Sequence, residues 1–275
     1  GYNMNFSLLM SVYNKENPNF FDSALESNLI NQTLKPNEFV LVCDGPLNDE
    51  IDAVIEKYVS LFPEIMAVYR LPKNEGLGKA LNFGIEKCRN EIIVRADSDD
   101  ISAFNRFEKQ MAFLEKNKDI AVFGSSIEEF IDDYTKSEHS KKMPLTDSEI
   151  RNYIKRRNPI NHMTVVFKKS MIEKIGSYMP MPYLEDYYLW VRAAAVGYKF
   201  ANMEESLVYA RVGNGMIKRR GRKEQISGWK TIGKYMLEKK MITKAEYIQN
   251  VIAINFFVHM PSSLKELSYR FVLRK

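Results

Sequence analysis

The sequence predicts an α/β protein, a mostly parallel sheet flanked by helices, with a helical C-terminal extension. Three observations predict it. Strand and helix signals alternate through the first hundred residues, the rhythm of parallel strands joined by crossover helices. The runs Phe39-Val40-Leu41-Val42 and Ile92-Ile93-Val94 are continuously apolar, as strands covered on both faces should be. Beyond about Lys218 the pattern is helical to the last residue. With 275 residues, 45% of them apolar, there is material for one large domain plus an appendage, and the composition is not that of a disordered chain.

The elements follow in order. Phe6 to Val12 is a short apolar strand ending in Tyr13-Asn14. A helix is expected from about Phe20 to Gln32, with Phe21, Leu25 and Leu29 on one face. Glu38 to Cys43 is a second strand, stopped by the turn signal Asp44-Gly45-Pro46. Ile51 to Phe62 is a helix, Ile65 to Leu71 a strand, Gly78 to Cys88 a helix and Ile92 to Ala96 a strand. Past Asp100 the rhythm changes. Phe104 to Lys116 is helical, Ile120 to Ile131 extended, Thr135 to Asp147 loop-like and Ser148 to Arg157 a charged helix. Met163 to Phe167 is a strand, Ser170 to Ile175 a short helix, and Glu185 to Val196 an amphipathic helix ended by Gly197. There is no internal repeat.

Cys43 and Cys88 lack metal-ligand spacing and read as buried thiols of a reducing compartment. No secretory signal or convincing transmembrane helix is visible, so a cytoplasmic location is expected, peripheral at the inner face of the membrane as an option. The net charge of +5 is uneven: residues 211–240 hold ten Lys or Arg against two Glu. That segment has few interleaved aromatics and no recognised module, so no nucleic-acid partner is expected; it is either a solvated basic face or an anion-binding one.

The chemistry-bearing residues fall in two groups. Asp97-Ser98-Asp99-Asp100 follows a strand, at the end where open α/β sheets bind ligands. An Asp-x-Asp pair sends two carboxylates to one side, and such oxygen ligands suit Mg²⁺ or Mn²⁺. The competing reading is a cap on the helix near Phe104. Glu185-Asp186, much later, opens a helix and is either a cap or a base from another wall of the cleft. Gly76 and Gly78, in the loop before the third helix, would permit close backbone approach.

Five pieces in order, Ser11-Val12-Tyr13-Asn14, Cys43-Asp44-Gly45, Asn74-Glu75-Gly76 through Asn82-Phe83-Gly84, Arg95-Ala96-Asp97-Ser98-Asp99-Asp100 and Glu185-Asp186-Tyr187-Tyr188-Leu189-Trp190, carry a resemblance. Over roughly residues 5–221 the chain resembles family 2 inverting glycosyltransferases of the GT-A, Rossmann-like fold, nearest to bacterial enzymes of surface-polysaccharide and glycan assembly. The resemblance implies a catalytic domain over residues 1–220, with a nucleotide-binding half (1–100) and an acceptor-side half (101–220), before the extension 221–275. It implies a nucleotide-diphosphate sugar donor, UDP-linked, a Mn²⁺ or Mg²⁺ cofactor, and a glycan acceptor that is a lipid-linked oligosaccharide or a glycoprotein. An inactive sugar-nucleotide-binding or assembly subunit is the alternative.

By the same resemblance Tyr13 and Asn14 border the nucleotide base, Asp44 accepts a hydrogen bond from a uracil-like ring, and Lys79 reaches the phosphate or ribose. Asp97 and Ser98 address the nucleotide, Asp99 with Asp97 holds the metal, and Asp186 is the catalytic base. Many family members carry a late His near the diphosphate; here Tyr209-Ala210-Arg211 leads to Lys218-Arg219-Arg220 without one. Arg211, Arg219 or Arg220 would replace it, unless this is only a surface loop. His162, Glu185 and Trp190 are candidates for the acceptor or sugar; for His162 a structural role, and for the aromatics a core role, stay open. The last helix, with Leu264, Leu267 and Phe271 on one side, would either meet a membrane or pack on the catalytic domain or a second subunit.

Overall fold

A computed structural model describes residues 4–213 and 223–268. Its elements are β1 (Phe6–Val12), α1 (Pro18–Asn28), β2 (Glu38–Cys43), α2 (Asp49–Leu61), β3 (Met66–Arg70), α3 (Leu77–Lys87), β4 (Ile92–Arg95) and β5 (Ile101–Ser102). Then come α4 (Arg106–Lys116), β6 (Ile120–Phe130), β7 (His139–Lys141), α5 (Asp147–Tyr153), a 3₁₀ turn (His162–Thr164), β8 (Val166–Lys168) and α6 (Lys169–Lys174). The chain continues with α7 (Glu185–Val196), β9 (Lys199–Arg211), α8 (Glu224–Glu238), α9 (Lys244–Val258) and α10 (Ser262–Ser268).

All the strands join one sheet in the order β3-β2-β1-β4-β8-β6-β9-β5, with β7 on β6. It is parallel from β3 to β4, and antiparallel pairs enter at β8. Period-two alternation sorts the strands into two cores. Phe6, Leu8 and Met10 face a layer with Phe21, Leu25, Ile51, Ile55 and Phe107. Leu9, Val40 and Val42 face the other layer, with Leu81, Ile85, Leu189 and Trp190. α8 adds Ile232 and Met236 to that second core, so it extends the same packed layer. Among the described residues no helix is long and apolar enough to cross a membrane.

Several boundaries differ from the sequence expectation. α1 begins at Pro18, capped by the Asn17 side chain, and stops at Asn28. The expected strand from Met163 opens with the 3₁₀ turn and pairs only from Val166. β9 has no counterpart in the sequence reading. Its pattern is broken by Glu204-Glu205, and the pairing shows why: Met203 opposes Ser125 and Ser206 opposes Ser126, so the two glutamates are looped out of register, exposed to solvent.

Glycine roles also differ. Gly76 has φ +96° with nothing near its missing Cβ, so it serves backbone conformation rather than close approach. A Cβ on Gly78 would meet Glu185 and Tyr178 only at ordinary contact distance. The close approach is at Gly84, where a Cβ would lie 2.3 Å from Leu9 Cδ1 and push α3 off the sheet.

Candidate active site

Because β1, β2 and β4 run parallel, their carboxyl ends open on one edge of the sheet. Tyr13, Asn14, Asp44 and Asp97 follow those ends. Tyr13 and Asn14 are exposed. Asp44 is buried, and its carboxylate accepts from the Glu75 N–H at 2.7 Å, the Gly76 N–H at 3.1 Å and Asn74 Nδ2 at 3.3 Å. It therefore holds the loop before α3, leaving about one of the roughly four acceptor positions of a carboxylate. Lys79, in the first turn of α3, is largely exposed and lies 3.9 Å from Glu75.

The Asp97–Asp100 turn is braced from below and behind. Arg95, 1% exposed, donates from Nη1 to Asp97 Oδ1 at 3.0 Å, and Arg106, also buried, donates from Nη2 to the Arg95 carbonyl at 2.6 Å. Arg211 closes β9 beside the turn: its N–H donates to Asp100 Oδ1 at 2.9 Å and its Nε to the Asp99 carbonyl at 3.1 Å. Its guanidinium lies 3.6 Å from the Phe20 ring centroid and 4.7 Å from that of Phe130. The Ser98 hydroxyl donates to Glu16. The capping reading fails, because α4 begins at Arg106 and its N-cap residue Asn105 makes no side-chain cap bond.

Carboxylate oxygens of Asp97, Asp99 and Asp100 all lie within 4.8 Å of one another. Burial, then the charges of Asp97 and Glu16, push the Asp99 carboxyl up to about 7. Asp100 is raised by burial, then by Asp99 and Asp97. An all-oxygen set under mutual repulsion fits a hard divalent cation, Mn²⁺ or Mg²⁺, whose charge would relieve that repulsion.

The second carboxylate site lies on the wall of a cavity of about 470 Å³, lined in part by Gly78, His162, Tyr178, Tyr183, Glu185 and Asp186. Asp186 is the second residue of α7. Asn158 Nδ2 donates to its Oδ2 at 2.7 Å, and the N–H groups of residues 186 and 187 also favour its charged form; burial outweighs them and raises its pKa. The side chain thus meets helix-terminal amides, as the capping alternative expects, and also opens on the cavity. Burial raises Glu185 too, with Asp186 adding to it.

His162 Nε2 and Tyr178 Oη lie 2.7 Å apart. Burial, and secondarily the charge of Arg95, holds His162 well below the ordinary histidine range, so its ring is neutral at pH 7. Burial raises the Tyr178 hydroxyl, with smaller opposing effects of Arg95 and of Asp186 and Asp97.

Trp190 is the clear correction. It is fully buried against His162 and Phe167 and cannot stack on a sugar. Its place in the helical apolar pattern, not its aromaticity, was the informative signal. Arg219, Arg220 and Phe271 lie outside the described residues. Sequence reasoning gave no role to Glu16, Arg95 or Tyr178, and saw Asn158 only as part of the stretch 158–162 that resembles the family's acceptor-side loop. Arg95 carried a faint signal, a charge inside a buried strand; Tyr178 carried none.

This fold, with an acidic turn at the end of its parallel half, is that of GT-A glycosyltransferases. A family model described as "Glycosyl transferase family 2" matches residues 7–176, and the chain belongs to that family. It is similar to the amylovoran biosynthesis glycosyltransferase AmsE of Erwinia amylovora, 42% identical over 78% of this chain and 80% of that one. It is also similar to the UDP-Gal:alpha-D-GlcNAc-diphosphoundecaprenol beta-1,3-galactosyltransferase of Escherichia coli, 36% identical over 98% of this chain and 97% of the relative. Among solved structures, S. aureus TarS 1-349 in complex with UDP-GlcNAc shares the fold, with a TM-score of 0.71 at 18% identity over 94% of this chain and 77% of that one.

Proposed function

We propose that this glycosyltransferase moves a sugar from a UDP-linked donor to a hydroxyl of a growing glycan, inverting the anomeric centre in one displacement. The observation that carries the proposal is the acidic turn at the carboxyl ends of the parallel strands, together with Asp186 on the wall of a cavity. Asp99 and Asp97 would hold Mn²⁺ or Mg²⁺, which when bound neutralises charge on the leaving diphosphate. Tyr13, Asn14 and the remaining acceptor position of Asp44 border the base, Ser98 and Lys79 the ribose and phosphates. Arg211 braces the turn with its backbone N–H and Nε, and its charge lies beside Asp99, where it would add to the neutralisation of the diphosphate.

Asp186 takes the proton from the acceptor hydroxyl as that oxygen attacks the anomeric carbon. Asn158 and the helix-terminal N–H groups fix the carboxylate in place on the cavity wall. Burial raises the basicity of Asp186 above that of an ordinary aspartate, which suits proton abstraction. His162 and Glu185, on the same cavity, would contact the acceptor or the transferred sugar. We place the donor site in residues 1–100, the acceptor side in 101–220 and the helical extension in 221–275.

The name of the E. coli relative supports a saccharide linked through diphosphate to a lipid as the acceptor, within polysaccharide assembly. A nucleotide-sugar panel assayed for transfer to such an acceptor, with and without Mn²⁺, tests the reading. Transfer from one donor with inverted stereochemistry is expected; donor binding without transfer would favour a non-catalytic subunit.

A further inference from the structure

Among the described residues, the C-terminal helices leave one apolar face uncovered. Tyr247, Val251 and Ile254 of α9 line the seam against Trp229, Gly233 and Met236 of α8. The opposite side carries Ile248, Ile252 and Phe256, spaced by four and exposed at 56%, 64% and 71%. Leu264 and Leu267 of α10 are also about half exposed, at 49% and 53%. From Tyr247 to Leu264 there is no Asp, Glu, Lys or Arg. Single exposed apolar residues need no explanation, but a charge-free row of this length does.

Charge says what covers it. Residues 223–268 hold seven Lys against four Glu, a net +3, whereas residues 1–210 carry −6. Lys239, Lys240 and Lys244, all exposed, flank the row at one end, and Lys265 lies beyond it at the other. A second copy of the chain would bring like charge against like, because a two-fold interface apposes the same patch to itself. An anionic surface would attract this end and repel the acidic body, which fixes an orientation as well as a contact.

We propose that α9 and α10 form a docking surface for an anionic lipid bilayer, with Ile248, Ile252, Phe256, Leu264 and Leu267 entering the interface. The helices lie on the membrane rather than span it. The mount is rigid: the Trp229 ring of α8 packs 5.0 Å from that of Tyr187, the neighbour of Asp186 on α7. The surface is thus coupled to the cavity wall. Its use, delivery of the enzyme to a lipid-linked acceptor, rests on the function proposed above; the binding itself does not.

Co-sedimentation of the full chain with vesicles tests it, using phosphatidylcholine with about a quarter phosphatidylglycerol, against phosphatidylcholine alone, without nucleotide or acceptor. Binding to the anionic vesicles only is expected, weakening as salt rises. The double variant Ile252→Asp, Phe256→Asp, at exposed positions and checked by circular dichroism, should bind roughly a hundredfold more weakly. Equal binding by the variant, no binding by the parent chain, or a loss that instead tracks dissociation of a dimer in light scattering would overturn the proposal. Transfer to a soluble, short-chain acceptor is read in parallel. If vesicles bind while no transfer occurs in either protein, the function fails and the docking surface stands.

Discussion

The two carboxylate centres are built in opposite ways. The acidic turn is local: Asp97, Asp99 and Asp100 come from four consecutive residues, crowd within 4.8 Å and depend on Arg95 and Arg211 for nearby positive charge. The acceptor wall is assembled from distance: Asn158, His162, Tyr178 and Asp186 arrive from separate segments, and Asp186 takes its side-chain hydrogen bond from the neutral amide of Asn158. Crowding leaves the first centre charged beyond what its surroundings neutralise, a demand for a cation. Burial that outweighs its hydrogen bonds and the Lys141 charge makes the second a stronger base. Both carry raised carboxyl pKa values, and the causes differ: repulsion adds to burial at Asp99, while burial stands alone among the raising causes at Asp186.

The largest test of this contrast is Asp186→Asn. Turnover should fall by about a thousandfold, the scale of losing a general base, while donor affinity measured by calorimetry stays within about twofold. The variant should also be no less heat-stable than the parent, because a buried carboxylate becomes a neutral amide that still accepts from Asn158. A comparable loss of donor affinity would mean that the two centres are not separate.

Asp99→Ala should produce the converse, a loss of about a hundredfold in donor affinity that is seen only with Mn²⁺ present. An equal loss without metal would place Asp99 on the nucleotide directly.

Acidification separates the centres again. With the Asp99 carboxyl near 7 in the metal-free protein, Mn²⁺ must displace a proton below that pH, so its affinity should weaken by about tenfold per unit. Asp186 must be ionised to act, so kcat should fall on the acid side with a midpoint above that of an ordinary aspartate. The stability effect has the opposite sign. A carboxyl whose folded pKa is raised contributes stability below its unfolded pKa, and that contribution is lost as pH rises through the folded value. Mild acid should therefore raise the Tm of the metal-free protein while lowering its activity. Parallel falls in both would contradict burial as the cause.

The same contrast decides what could be read from the sequence. The acidic turn was legible because its three Asp residues and its strand are contiguous, and parallel topology follows from the strand-helix alternation. Asp186 could be separated from a helix cap only by the family resemblance. Its Asn158 partner and the Tyr178 hydroxyl depend on chain paths that no local pattern encodes. β9 escaped because its looped-out glutamates broke the period, and Trp190 misled because an aromatic beside a carboxylate resembles a sugar wall until its burial is known.

Tyr178→Phe gives the smallest and sharpest effect. The hydroxyl pairs with a neutral His162, so deleting it removes one hydrogen bond without stranding a charge. About 1 kcal/mol is at stake, a change of several-fold. If Tyr178 belongs to the acceptor wall, that change should fall on kcat or on the acceptor KM, with donor affinity untouched. If it belongs to the acidic turn, through the charges of Arg95 and Asp97 that it feels, donor affinity should move instead. His162→Gln tests the partner: an amide at this position still meets the hydroxyl, so it should preserve whichever parameter Tyr178→Phe disturbs. Failure of that rescue would show that the imidazole, rather than its hydrogen bond, shapes the cavity.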